Sequence, residues 1–81
     1  LTEERRKKLA RQVQQNGENA KISVRNSRRD ANAMLKTIQK DGEITEDDLS
    51  RALKNVQEST DGAITKIESI VSKKEAELLE V

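Results

Sequence analysis

Apolar and small residues recur along the first half of the chain at Val13, Gly17, Ala20, Val24, Ser27, Ala31, Met34 and Ile38, in alternating steps of four and three. Residues three and four apart share one face of an α-helix, so this rhythm predicts a seam packed against another helix. The first helix is expected over about residues 2–40, with Thr2 as its cap. Glu3 and Glu4 then lie in the first turn, where the helix dipole favours negative charge. Asp41-Gly42-Glu43 ends the helix, because Gly enters the left-handed conformation at little cost. After a turn over about 41–45, Thr45 and Asp48 form a capping-box pattern, and Ile44 and Leu49 occupy the positions of a hydrophobic staple. Leu49, Leu53, Val56, Thr60, Ala63, Ile67 and Ile70 continue the four-three rhythm through a second helix over about 46–80. Ile64, Val71, Leu78 and Leu79 widen its apolar face. So short a link makes the helices antiparallel neighbours, each on the order of 55 Å long at 1.5 Å per residue.

The expected fold class is therefore all-α: one long antiparallel helical hairpin of 81 residues, forming part of a larger bundle. The second helix carries more apolar surface than the small residues of the first can cover. A third helix outside the chain, or self-association with a second copy, would bury the remainder. Gly17 lies on the seam, which predicts the close approach of a neighbouring backbone, whereas Gly62 is a weak point within the second helix.

Composition narrows the chemistry. The chain has no Phe, Tyr or Trp, 32% of its residues are hydrophobic and 38% are charged. A compact independent core is thus hard to build, while long solvated helices remain possible. Without His or Cys, the chain offers no imidazole or thiolate chemistry, no disulfide and no zinc site. The acidic stretch from Asp41 to Asp48 lacks the ligand spacing of a calcium loop, and the isolated Gly residues form no phosphate cradle. No metal, cofactor or catalytic group is expected. No apolar run approaches the roughly 20 residues needed to span a membrane.

The net charge of +1 conceals a division along the chain. Residues 1–29 hold nine Lys or Arg against three Glu, and residues 30–81 hold seven basic against twelve acidic residues. Lys7, Arg11, Lys21, Arg25 and Arg28 fall on one stripe beside the seam, and Arg29 lies one residue further round. Arg28 follows the seam residue Ser27, which predicts a fixed helix beneath it and an outward-pointing guanidinium. A basic ridge about 30 Å long suits an RNA backbone, because planar guanidinium groups form bidentate contacts with phosphate. The absence of aromatic residues excludes base stacking by Phe, Tyr or Trp. The competing reading is a coiled-coil assembly module in which the same charges face solvent or pair with the acidic second helix.

Four blocks add a resemblance. Leu1-Thr2-Glu3-Glu4-Arg5-Arg6-Lys7 opens the chain, and Val24-Arg25-Asn26 follows with Arg28-Arg29-Asp30-Ala31-Asn32. Ile44-Thr45-Glu46-Asp47-Asp48 and Lys73-Lys74-Glu75-Ala76-Glu77-Leu78 complete the order. In this arrangement the chain closely resembles the ribosome-recycling factors over essentially its whole length. That family is L-shaped: a three-helix bundle carries a smaller β-rich domain inserted after the bundle's first helix. The resemblance implies that Leu1 lies where the chain re-enters the bundle, with the first helix and inserted domain outside these residues. It also implies a non-enzymatic factor that separates ribosomal subunits after termination together with elongation factor G. Its setting would be the bacterial cytoplasm or an organellar matrix or stroma. Arg25, Arg28 and Arg29, joined by Lys21, would touch large-subunit ribosomal RNA. Ser27 stands where the family usually has an apolar residue, and Gly17 and Gly62 interrupt helices that are usually continuous.

Overall fold

The computed structural model of the chain describes residues 2–80, so the expected re-entry point at Leu1 lies outside the described residues. Two helices, α1 (Glu3–Lys40) and α2 (Glu46–Leu79), pack antiparallel into a bar with Cα extents of 60 × 15 × 9 Å. The expected hairpin is observed. Local chemistry sets both ends of the connection. Thr2 Oγ1 accepts from Arg5 N at 3.2 Å to begin α1. At its end Gly42 takes φ +81°, which lets Gly42 N donate to Gln39 O at 3.0 Å and Glu43 N to Ile38 O at 2.9 Å. This pair of backward bonds satisfies carbonyls that a helix terminus otherwise leaves open. Thr45 then caps α2 reciprocally: Asp48 N donates to Thr45 Oγ1 at 3.0 Å, and Thr45 N donates to Asp48 Oδ2 at 3.3 Å.

The α1 seam departs from the strict rhythm. Val13, Gly17, Ala20, Val24, Arg28, Ala31, Leu35 and Ile38 are the positions turned inward, whereas Ser27 and Met34 are exposed. An α-helix advances 3.6 residues per turn, so a four-three repeat of average 3.5 drifts off the facing helix by about 20° per heptad. An extra four-residue step between Val24 and Arg28 absorbs that drift. Arg28 consequently occupies a seam position, correcting the expectation that Ser27 lies inside with Arg28 pointing outward. On α2, Val71 turns inward and Ile70 is 58% exposed, the same exchange by one residue.

Packing along this seam is thin. No hydrophobic residue among the described residues is buried, and only Gly17 and Thr60 are. Thr60 satisfies its hydroxyl within α2 by donating to Val56 O at 2.7 Å. Gly17 permits a close contact between the helices: a Cβ built there would lie 2.6 Å from Val71 Cγ2. The expected close approach is present, but a side chain makes it rather than a backbone. Gly62 has open space around its Cα.

Candidate nucleic-acid interface

The hairpin has two unlike long sides. Asn16, Ala20, Ser23 and Ser27, spaced three and four apart, line two successive grooves whose other walls come from Val56, Ser59, Ile67 and Ile70. This side is apolar or small in character and uncovered. On the opposite side Gln14, Glu18 and Lys21 meet Glu68, Ser72 and Glu75. Gln14 Nε2 donates to Glu75 Oε1 at 2.7 Å, and Lys21 Nζ lies 3.4 Å from Glu68 Oε2 and 3.6 Å from Glu18 Oε1. The Gln14–Glu75 and Lys21–Glu68 contacts tie the helices together, while Lys21–Glu18 lies within α1.

The four residues expected to form the RNA contact therefore separate into different environments. The Lys21 side chain is only 17% exposed and its ammonium lies between two carboxylates, so it serves the helix pairing. Arg29 is exposed, with Nε 3.5 Å from the neighbouring Asp30 carboxylate. Such a solvated pair is worth only about 0–1 kcal/mol and can open for a stronger anion. Arg25 is exposed and Arg28 half-buried, and neither forms an ion pair among the described residues. Arg28 lines a groove with Val24, Ala31 and Val56. The aliphatic stem of an arginine can cover such surface while its head stays in water.

Two further residues belong to the same neighbourhood. Asn32 and Lys36 continue the spacing from Arg25 and Arg29, and Lys36 is exposed without an ion pair among the described residues. The periodicity alone could have identified Lys36. Asn32 has no such signal, because its distinguishing feature is an amide oxygen that is sealed from solvent without a partner.

Charge is also polarised along the bar. Lys7, Lys8 and Arg11 cluster with Glu4 toward the open end, while Asp41, Glu43, Glu46, Asp47 and Asp48 surround the turn. Asp48 is drawn into the cap. The Thr45 backbone N–H holds its carboxyl below the usual carboxylate value, assisted by the Thr45 hydroxyl and the Arg51 guanidinium. Among the described residues no cluster of acids is arranged to hold a metal ion, and no helix is long and apolar enough to cross a membrane.

Comparison with known proteins places this geometry in a family context. The sequence profile described as "Ribosome recycling factor" matches residues 1–79. The ribosome-recycling factor of Myxococcus xanthus (strain DK1622) is 56% identical over 81 residues, covering 100% of this chain and 44% of the relative. Those of Listeria monocytogenes serotype 4b (strain F2365) and Enterococcus faecalis (strain ATCC 700802 / V583) are 54% and 56% identical over the same length and coverage. The chain thus spans less than half the length of these relatives.

Proposed function

This chain belongs to the ribosome-recycling factor family, and on that premise we propose that it is the ribosome-binding helical part of such a factor. Its task is recognition of large-subunit ribosomal RNA by α1. The complete factor acts with elongation factor G to disassemble ribosomes after termination, as a binding factor and not an enzyme. Its bacterial relatives support the bacterial cytoplasm as its setting. The observation that carries the RNA reading is the pair Arg25 and Arg28, two cations three residues apart on one rigid helix, with no carboxylate engaging either among the described residues. Phosphate can take up such guanidinium groups without first breaking an ion pair.

The uncovered side supports a second part of the same reading. Exposed Ile70 and Met34 flank grooves on the side facing away from the Lys21–Glu68 contact, and a third helix laid there completes a bundle. The extra length of the relatives provides room for that helix.

Binding of the natural full-length protein carrying these residues to purified 50S ribosomal subunits tests the RNA reading. Arg25→Ala and Arg28→Ala should each weaken binding by about tenfold, the scale of one charged hydrogen-bonding group. Each should also make the logarithmic salt dependence shallower by about one unit. Arg51 is the control, since it is engaged by Asp48 on α2. Equal losses for Arg28→Ala and Arg51→Ala would reduce the contact to diffuse electrostatics and overturn the assignment.

A further inference from the structure

An unsatisfied acceptor and a cation without an ion pair among the described residues lie one helical turn apart beside the α1 seam. Asn32 Oδ1 is sealed from solvent and accepts no hydrogen bond. Four residues earlier, the Arg28 side chain is half-buried and free of any ion pair among the described residues. Residues at this spacing are neighbours on a helix surface, with Cβ atoms about 5–6 Å apart. Helical side chains also lean toward the N-terminus, so Asn32 covers the turn that carries Arg28 and not the following turn of Lys36. Arg29, the other cation in that turn, already directs Nε toward Asp30.

An amide oxygen only accepts, whereas a guanidinium only donates and has five N–H groups. The two groups are therefore complementary. We propose that Asn32 is a positioning residue for the anion-binding face: as Arg28 turns to a phosphate, the Asn32 amide oxygen takes one of its N–H groups and thereby orients the remaining donors. In the free protein that oxygen has no partner, so a bond gained only in the binding orientation of Arg28 favours that orientation, which is how a supporting residue strengthens a contact it does not itself make. The inference rests on the RNA-binding reading above and assigns Asn32 a role within it.

The test is a double-mutant cycle in the natural full-length protein, with purified 50S subunits as the probe and thermal melting as a separate readout. Asn32→Leu keeps the approximate shape and deletes the acceptor. It should weaken binding about as much as Arg28→Ala, on the order of tenfold. Its melting midpoint should stay level or rise, because an unpaired buried oxygen is removed. In an Arg28→Ala background, Asn32→Leu should cause no further loss. Asn32→Gln retains an uncharged amide acceptor beside Arg28 and should recover part of the Arg28-dependent binding. Multiplicative losses from the two changes, or unchanged binding by Asn32→Leu, would overturn the positioning role while leaving the RNA reading intact. A loss of binding matched by a fall in melting midpoint would also overturn it, by making Asn32 a packing residue. Failure of Arg28→Ala alone to weaken binding would instead reject the parent assignment of Arg28.

Discussion

At Gly17 an added Cβ would sit 2.6 Å from Val71 Cγ2, inside the distance at which two carbons repel. Overpacking of this kind costs about 1–3 kcal/mol, while replacing a helical Gly by Ala returns about 1 kcal/mol of propensity. The steric term wins because Val71 is β-branched and has few rotamers into which to retreat. Gly17→Ala should therefore lower the melting midpoint, and adding Val71→Ala should remove most of the steric part of that loss. At Gly62 no neighbour lies within 4 Å, so Gly62→Ala should raise stability by up to about 1 kcal/mol. Calorimetry of both variants decides the matter: a higher midpoint for Gly17→Ala would rule out tight contact at that crossing.

The start of α2 depends on a reciprocal cap whose strength varies with pH. In the folded chain Asp48 lies below its ordinary carboxyl value of 3.8, because the Thr45 N–H, the Thr45 hydroxyl and Arg51 favour the charged form. A lowered folded value means that the stabilisation is fully present above the unfolded value. It is lost as pH falls through the folded value. Helicity measured by circular dichroism should thus decline below about pH 4, and Asp48→Asn should flatten that decline. An acid limb of identical slope in Asp48→Asn would assign it to other carboxylates. Thr45→Ala should cost about 1 kcal/mol at neutral pH, since it removes the oxygen that accepts the Asp48 N–H.

For the whole molecule, the exposed apolar side should govern association. Met34 is 62% and Ile70 58% exposed, and no hydrophobic residue among the described residues is fully buried. Covering apolar surface yields about 25 cal/mol per Å², on the order of 1–2 kcal/mol for each such side chain taken out of water. The isolated 81-residue chain should therefore form dimers or larger species as concentration rises, as measured by sedimentation velocity. Supplying a separate helix that seats on the same side should abolish that association. A monomer with a sharp melting transition at high concentration would show that the hairpin needs no cover.

The sequence by itself determined the all-α class, the antiparallel pairing, both N-caps, the Gly42 turn and the family. These features rest on local chemistry: a Thr three residues before an amide it can cap, a Gly where φ must be positive, and blocks of residues in a fixed order. Tertiary structure decided which residues face the seam and which cations remain free. A one-residue exchange, Arg28 for Ser27 and Val71 for Ile70, lies within the drift between 3.5- and 3.6-residue periods, so only the packed pair of helices resolves it. Lys21 reads on paper as part of the basic stripe, but Glu68, 47 residues away in sequence, holds its ammonium from the other helix. The unpartnered oxygen of Asn32 was equally illegible, because satisfaction of a buried polar group depends on every neighbour that folding brings within reach.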